Sequence, residues 1–380
     1  MATKRVATSA TLALLLAAPA IALELGDAPS IQSAEFLGET FLPLGLDVDG
    51  TRLLGLSGLA RMGDSDTYVA ISDDTDGPAR FYTLTIDLAD GRLDDGDVVV
   101  AGVTMLGGPD GDLPAGSFDL EGIALDPGAE TLLVASEGRG NGPTDAHAPF
   151  VHRYALDGSF VGEFALPARY DQTAEGGWGV HDSGGFESLV YTADLGTLWL
   201  AVETALQQDG AKPTLDAPSR LRIMRWDTTD HLRPSLEAEY VYELSPRQGS
   251  TILASDEGGD RSMVDLLPLD DTSLLVLERE WIGGEPRTNT RPIALYEIDT
   301  ADAEDVSKID PLTGDEVLVE KRLVLDLDVL RQEGLVERIG SFEAMIFGPT
   351  LDDGRRTLIL VEDNDDGVDT QIIAFAVELR

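Results

Sequence analysis

Short apolar runs of five or six residues recur along the chain, and each run is bounded by glycine, aspartate or proline. The run Leu56 to Ala60 is followed by Tyr68 to Ser72, and the same pair returns as Leu120 to Ala124 and Leu132 to Ser136. Runs of this length between tight turns predict β-strands. Helical periodicity is scarce, and only the stretch around Val329 to Val336 predicts a helix. The pattern predicts an all-β protein.

The pair of strands is found five times. Its first strands lie at positions 57, 121, 187, 265 and 343, so successive copies are 64, 66, 78 and 78 residues apart. A third strand follows in most copies, and a fourth is visible at Phe160 to Phe164. Four short strands repeated with tight turns are typical of propeller blades. We therefore predict a β-propeller with four-stranded blades around a central channel, rather than a two-sheet sandwich.

The last copy runs out of chain after its third strand, Gln371 to Ala376. The segment Ile31 to Leu42 is predicted to supply the missing outer strand and to close the ring. This count gives five blades. The copies are spaced more widely than a minimal blade needs, so a sixth, degenerate blade within 215–260 or 300–340 remains an alternative. No linker divides the chain, which predicts a single domain over residues 23–380.

The first 22 residues resemble an export signal. Lys4 and Arg5 precede a short apolar run from Leu12 to Ala18, and Ala20-Ile21-Ala22 has the form of a cleavage site. This combination predicts a secretory signal peptide over residues 1–22, and hence a periplasmic or secreted protein. No later stretch is long and apolar enough to span a membrane. The chain has no cysteine, so it can form neither disulfides nor a cysteine-linked lipid anchor.

The charge balance limits the possible partners. The chain has 27 Lys+Arg and 70 Asp+Glu, which gives a formal net charge of −43. An acidic surface repels nucleic acid and anionic membranes, so we expect neither as a partner. It suits cations instead. The hydrophobic content of 43% is enough for a large core. We expect a monomer that takes a small-molecule substrate.

Acidic residues recur at matching places in the repeat. In the first strands the repeated positions are Ser57, Glu121, Glu187, Asp265 and Glu343. At the ends of the second strands they are Asp73, Glu137, Glu203, Glu278 and Glu362. Because the innermost strand of each blade lines the channel, these side chains are predicted to converge on the axis. Carboxylates crowded together cannot all stay ionised without a counter-charge, which either arginine or a bound cation supplies.

An oxygen-rich set without His or Cys points to a hard ion, Ca²⁺ before Mg²⁺. The glutamates of the two sets are the predicted metal ligands: Glu121, Glu137, Glu187, Glu203, Glu278, Glu343 and Glu362. The alternative is structural, because propellers also repeat a polar residue simply to satisfy backbone groups or to pair with arginine. Both interpretations remain open at this point.

Two loops beside these acids are candidates for substrate contacts. His181 lies in the glycine-rich stretch Gly176 to Gly185, immediately before Glu187. The loop from Ser136 to Gly142 can expose backbone N–H groups to an anion. The four histidines lack zinc-ligand spacing. The sequence around Ser57 falls short of the G-x-S-x-G nucleophile motif, so no catalytic residue is assigned.

A series of short motifs carries a family resemblance. The motifs are Leu56-Ser57-Gly58-Leu59, Asp119 to Ala124, Ala135 to Gly138, Gly185 to Leu189, Phe342 to Pro349, Asp352 to Leu358 and Glu362 to Asn364. In this order they resemble the phytase-like family, whose usual description is "esterase-like activity of phytase", from about residue 50 to residue 377. The chain departs from the family pattern at His181 to Gly184, where a basic residue and Asn are usual. It also departs at Ser188 and Ala344, where Gly is usual.

The resemblance implies chemistry on phosphoesters. Calcium-dependent propeller phytases hydrolyse inositol phosphates with Ca²⁺ held by carboxylates. By this resemblance, the ion would be held by Glu121, Glu137, Glu187, Glu203 and Glu343. Phosphate would be bound by Arg80, Arg139 or Arg279.

Three hypotheses follow from these observations. A calcium-dependent phosphoester hydrolase predicts arginine clustered beside the acids. A calcium-dependent esterase or lactonase predicts a histidine beside the metal, with His181 or His147 as the candidates. A non-catalytic exported binding propeller predicts acids fully neutralised by internal arginine, with no open pocket.

Overall fold

A computed structural model describes most of the chain. The described residues are 23, 30–109, 111–112, 118–128, 130–138, 148–172, 176–231, 233–250, 258–286, 288–364 and 367–380. The predicted signal peptide, residues 1–22, lies outside them, and so do Arg139 and His147.

Within these residues the apolar runs form five antiparallel four-stranded sheets, the blades of a propeller. From the axis outward, the strands of blade 1 are Leu56–Arg61, Thr67–Ser72, Arg80–Ile86 and Val98–Met105. Those of blade 2 are Leu120–Asp126, Thr131–Ser136, Phe150–Ala155 and Phe160–Glu163. Those of blade 3 are Phe186–Tyr191, Thr197–Val202, Ser219–Asp227 and Ser235–Leu244. Those of blade 4 are Gly259–Pro268, Ser273–Ile282, Ile293–Asp299 and Glu320–Asp326. Those of blade 5 are Phe342–Thr350, Arg356–Glu362, Thr370–Leu379 and Ile31–Leu42.

A few short elements lie between the blades. Two-residue strands pair as Asp47–Val48 with Thr51–Arg52, and as Gly107–Gly108 with Gly111–Asp112. One turn of 3-10 helix spans Ala168–Tyr170, and one short α-helix spans Asp328–Gln332. The α-helix falls within the region predicted to be helical, but it ends earlier because Gly334 adopts a positive φ of 71°. No helix among the described residues is long and apolar enough to cross a membrane.

The ring closes through the start of the chain, as predicted. The first strands of successive blades contact one another in a circle, and blade 5 returns to blade 1. The strand Ile31–Leu42 completes blade 5 by pairing antiparallel with Thr370–Leu379. Because the first and last strands of the ring pair in one sheet, the two ends of the propeller are held together.

The blade count is five. The described part of 215–260 contains the outer strands of blade 3, and 300–340 contains the outermost strand of blade 4 and the α-helix. The wider spacing of the later copies therefore comes from longer outer strands and connections, not from a sixth blade.

The core lies between the blades. Apolar side chains from neighbouring blades form four hydrophobic clusters, which fill the wedges between the sheets. The second strands are buried on both faces, as at Leu132, Leu133 and Val134, each with no exposed surface. Such strands are apolar throughout because both of their faces pack against other blades. Burial of this surface stabilises the ring and positions the inner strands around the axis.

We predict that the closing strand contributes to stability through its buried face. Leu42→Ala should lower the free energy of unfolding by about 2–4 kcal/mol, because Leu42 is only 5% exposed. The matched control Phe41→Ala, at a side chain that is 41% exposed, should cost less than about 1 kcal/mol. Urea denaturation measures both values without adding salt. Equal losses for the two variants would contradict the closure described here.

Candidate functional site

A register irregularity in each blade aims one residue of the inner strand at the axis. Between the first and second strands, the pairing shifts in every blade, near the start of the first strand in blades 1, 2, 3 and 5 and in its middle in blade 4. The residues at the shift are Ser57, Glu121 with Gly122, Glu187, Val264 and Glu343. A β-bulge of this kind redirects a side chain and breaks the alternation of faces. Three of the five blades therefore direct a glutamate towards the centre.

The second set of axial residues follows the residue of each second strand that pairs immediately before the shift. That residue is Ser72, Ser136, Val202, Glu278 or Glu362. The residues that come next are Asp73, Glu137, Glu203, Arg279 and Asp363. Four of the five blades thus contribute a carboxylate at this position, and blade 4 contributes a guanidinium.

Three residues that were predicted to lie on the axis do not occupy the axial positions of this register. Glu278 and Glu362, predicted as metal ligands, match Ser72 and Ser136 and not the axial acids. Asp265 lies one residue beyond the shift in blade 4. The sequence alignment of blades 4 and 5 was wrong by one residue, because a run of apolar residues that ends in acid does not show where the register shifts.

Both displaced glutamates have their own counter-charges. Glu278 accepts hydrogen bonds from Lys321 Nζ at 2.5 Å and from Tyr242 Oη at 2.6 Å, and Arg261 Nη2 lies 2.8 Å away. Lys321 and Arg261 outweigh the effect of burial and lower the pKa of Glu278. Glu362 is held by both terminal nitrogens of Arg338, at 2.6 and 2.7 Å. The structure brings neither glutamate together with the other predicted ligands.

The axial carboxylates face one large cleft of about 1010 Å³, which we call the acidic cleft. Among the described residues, eleven acidic and four basic side chains line it. The acids are Asp73, Asp74, Asp76, Asp119, Glu121, Glu137, Glu187, Glu203, Asp260, Glu343 and Asp363. The bases are Arg52, Arg80, Lys212 and Arg279. A concave site with convergent charged groups is the usual form of a small-molecule site.

Five of the seven predicted metal ligands meet in this cleft, and two groups of acids are close enough to share an ion. Ligand atoms of Asp73, Asp119 and Glu121 lie within 4.8 Å of one another. Those of Glu137, Glu187 and Glu203 do the same, and these three side chains are buried. Such all-oxygen clusters match the ligand preference of Ca²⁺, which binds carboxylates at about 2.3–2.6 Å.

The acids are close to one another because neighbouring blades approach closely at the axis. A Cβ atom placed on Gly185 would lie 1.9 Å from the carbonyl oxygen of Glu137, so only glycine fits there. The amide of Glu203 donates to the carbonyl of Gly185 at 2.8 Å, as the amide of Glu137 does to Asp119 at 3.2 Å. These equivalent bonds fix the end of each second strand against the start of the first.

Burial and mutual repulsion disfavour ionisation of these acids. Burial raises the pKa of Glu187 well above its ordinary value, and Glu137 and Glu203 raise it further. Burial likewise raises the pKa of Glu121, and Glu187 is the neighbour that raises it most. Burial also raises the pKa of Glu137, where Glu203 has the largest effect among the neighbours. Burial raises the pKa of Glu343 to about 8, although Arg279 opposes the shift. The cleft therefore has a strong electrostatic demand for added positive charge.

Two basic side chains supply part of that charge. Arg279 Nη2 lies 2.9 Å from Glu343 Oε1 and 3.9 Å from Glu203 Oε1. Lys212 Nζ lies 2.5 Å from Asp260 Oδ2 and donates to the carbonyl of Ser183 at 2.8 Å. Burial opposes the charge of both, but the neighbouring acids outweigh it and raise both pKa values. Both side chains are therefore cationic in the cleft.

The structure distinguishes among the predicted substrate contacts. Arg279 lies at the axis. Arg80 lines the cleft but is only 1% exposed, and its guanidinium donates to Tyr82, Asp74 and backbone carbonyls. It therefore orders the loop around Asp74. His181 contacts the carbonyl of Gly210 at 3.2 Å and is not among the residues that line the cleft. Arg139 lies outside the described residues.

Several residues of the cleft were not predicted from the sequence. Asp363 could have been found, because it follows Glu362 as Asp73 follows Ser72. Asp119 precedes its inner strand at the position that Gly185 holds in blade 3, so no repeated acid marks it. Lys212 reaches the cleft from a loop, and Trp281 reaches it from the C-terminal end of the strand Ser273–Ile282. No local pattern distinguishes either of them.

We predict that, without divalent cations, the protein loses stability as the pH rises. The folded-state pKa of Glu343 is raised from 4.5 to about 8, and burial raises that of Asp265 from 3.8 to about 7. Between the ordinary and raised values the folded state retains protons that the unfolded chain has released, so stability falls with increasing pH. In EDTA, the Tm should fall by at least about 4 °C from pH 5 to 8.5.

Calcium should reduce this fall, because it binds the ionised carboxylates. Differential scanning calorimetry in EDTA and in calcium measures the difference. A Tm in EDTA that is constant or that rises over this range would contradict the crowding of buried acids.

Comparison with known proteins finds solved structures of low sequence identity. A periplasmic gluconolactonase from Pseudomonas aeruginosa is 15% identical, with 95% of this chain and 98% of that chain covered and a TM-score of 0.33. A putative 6-phosphogluconolactonase from Bacteroides uniformis is 14% identical, with 91% of each chain covered and a TM-score of 0.34. An exo-β-1,3-galactanase from Phanerochaete chrysosporium is 11% identical, with 88% of this chain and 64% of that chain covered and a TM-score of 0.47. At this level none of them carries an argument about function.

No curated protein matches the chain. A family model described as "Phytase-like: Esterase-like activity of phytase" matches residues 51–366. The match includes the inner strands of all five blades and every acid of the cleft. The resemblance found in the motifs is therefore confirmed, and this chain belongs to the phytase-like family.

Proposed function

We propose that this protein is a calcium-dependent phosphoester hydrolase whose site is the acidic cleft. The observation that carries the proposal is the pair of carboxylate clusters on the axis, Asp73/Asp119/Glu121 and Glu137/Glu187/Glu203. The family description joins phytase with esterase-like activity, which supports an ester bond as the target.

The chemistry of the donor set fits calcium. Every acid in the two clusters offers carboxylate oxygen, and neither His nor Cys lines the described part of the cleft. The three acids of the second cluster are buried, and two of the three have strongly raised pKa values, so an ion of double charge would relieve their repulsion. When bound, calcium supplies positive charge that polarises a phosphoryl oxygen and neutralises charge in the transition state.

The basic side chains of the cleft suit an anionic substrate. Arg279 lines the cleft and is oriented by Glu343. A guanidinium can bind a phosphate oxygen by a charge-assisted hydrogen bond. Lys212 projects into the same cleft. Arg279 and Lys212 would hold the substrate while the acids hold the ion.

The two other hypotheses predict different features. An esterase or lactonase was expected to place a histidine beside the metal, but His181 does not line the cleft and His147 is outside the described residues. A binding propeller was expected to neutralise its acids internally and to lack an open pocket. The acidic cleft is open, with eleven acids against four bases in the described lining. The open cleft disfavours the binding propeller, and the position of His181 disfavours it as the histidine of an esterase or lactonase.

Calcium binding should depend on the axial acids and not on the displaced ones. Glu187→Gln should weaken calcium binding by about tenfold or more, because it removes a charged ligand from the second cluster. Glu278→Gln should retain the affinity of the original protein, since Glu278 lies off the axis in its own ion network. Isothermal titration calorimetry measures all three affinities.

The matched control for the charge change is Glu163→Gln, at an exposed position of blade 2. Its calcium affinity should equal that of the original protein, and circular dichroism should show that each variant is folded. An unchanged affinity in folded Glu187→Gln would remove that residue from the ion site.

Hydrolysis should require both calcium and the axial acids. The purified protein should release phosphate from phytate when calcium is present and stop when a chelator is added. Glu187→Gln should reduce the rate by about a hundredfold or more, whereas Glu163→Gln should leave it unchanged. A colorimetric phosphate assay measures the release.

The same preparations should be assayed with carboxylic esters and lactones. Calcium-dependent cleavage of these compounds without phosphate release would replace the phosphoesterase by an esterase or lactonase. Calcium binding without any hydrolysis would favour a binding propeller.

A further inference from the structure

A second cavity, of about 370 Å³, opens at the opposite end of the propeller axis. The inner strands line it with the residues that follow the register shift, including Leu59, Leu189, Met345 and Phe347. The acidic cleft, in contrast, is lined by residues at or before the shift. We call the second site the apolar cavity. Its volume is at the lower end of the range of about 300–1,000 Å³ that is typical of small-molecule sites.

Two arginines line the apolar cavity and make no ion pair within the described part of the chain. Arg61 donates to the backbone carbonyls of Ser65, Asp64 and Gly348 at 2.8, 3.3 and 3.2 Å. The guanidinium carbon of Arg356 lies 4.0 Å from the centroid of the Phe347 ring. Asp64 also lines the cavity, but Arg61 contacts only its backbone carbonyl.

Unpaired guanidinium groups are unexpected in this chain. With 70 acidic and 27 basic residues, a carboxylate is available for every arginine. Arg153, Arg261 and Arg338 each hold one at 2.6–2.8 Å. Burial, together with the charge of Arg61, lowers the pKa of Arg356, as expected for two cations that line one cavity. An anion placed between them would relieve this repulsion.

The inner end of the apolar cavity has two buried acids. Asp265 accepts hydrogen bonds there from Ser188 Oγ and the Met345 amide, each at 2.6 Å. Glu187 lines both this cavity and the acidic cleft. Neither acid attracts an anionic group, so Arg61 and Arg356 are the part of the described lining that does. The walls between the two ends are apolar.

We propose that the apolar cavity binds a small amphipathic anion, with its oxyanion group on Arg61 and Arg356 and its apolar body against the inner strands. An arginine fork binds carboxylate with charge-assisted hydrogen bonds, and the apolar walls remove the body from water. The proposal does not rest on the activity proposed for the acidic cleft, although Glu187 lines both sites.

Octanoate is a suitable probe, tested by isothermal titration calorimetry on the purified protein. EDTA is kept in the buffer, so that octanoate cannot bind through a metal in the acidic cleft. Salt at about 0.15 M screens the repulsion of the acidic surface beyond roughly 8 Å. We expect saturable binding of octanoate and binding of octylammonium that is weaker by about tenfold or more. Equal or tighter binding of octylammonium would overturn the proposal without any variant.

Matched variants locate the site. Arg356→Gln should weaken octanoate binding by about tenfold or more, and Arg61→Gln/Arg356→Gln should weaken it further. The control Arg355→Gln changes the adjacent arginine, which instead pairs with Glu35 and Asp353. It should bind octanoate as the original protein does. Undiminished binding in the folded double variant, or an equal loss in Arg355→Gln, would place the anion elsewhere and overturn the proposal.

Discussion

Repulsion between the carboxylates on the axis is the constraint that the rest of the structure has to balance. Burial and the neighbouring acids together raise the pKa values of Glu121, Glu137 and Glu187. These side chains belong to two different blades, so their repulsion when ionised acts across the contact between blades 2 and 3. The apolar wedges between the blades and the closing strand at Ile31–Leu42 oppose it. A propeller can hold such an arrangement because every blade is anchored on both sides.

Some buried acids outside the cleft are paired with arginines and serve only the structure. Glu239 is buried beside Arg222 at 3.0 Å and Arg169 at 3.1 Å, and Glu362 is held by both terminal nitrogens of Arg338. A buried carboxylate without such a partner is costly, and the fold supplies one at both of these glutamates. On the axis, Arg279 and Lys212 each lie near several acids. This local imbalance, more than the net charge of −43, distinguishes the cleft from a structural ion network.

One backbone irregularity, repeated in each blade, divides the axis into two unlike ends. Residues at or before the shift carry acids, whereas residues after it are mostly apolar and line the opposite cavity. Glu187 belongs to both linings and marks the boundary. A shift of one residue changes which side chains point inward, because side chains alternate along a strand. The bulge therefore decides which side chains line each end of the channel, and hence that one end is acidic and the other mostly apolar.

The sequence by itself determined the all-β class, the repeat of strand pairs and the closing role of Ile31–Leu42, because these depend on local hydrophobic periodicity. It also identified five acids of the axis, because they recur with the repeat: Glu121, Glu137, Glu187, Glu203 and Glu343. The tertiary structure decided the number of blades and the exact register, which exchanged Glu278 and Glu362 for Arg279 and Asp363 at the axis. Only the assembled ring brings in Asp119, Lys212 and Asp260. Pairing between strands and the approach of loops are long-range properties, and no local pattern of residues encodes them.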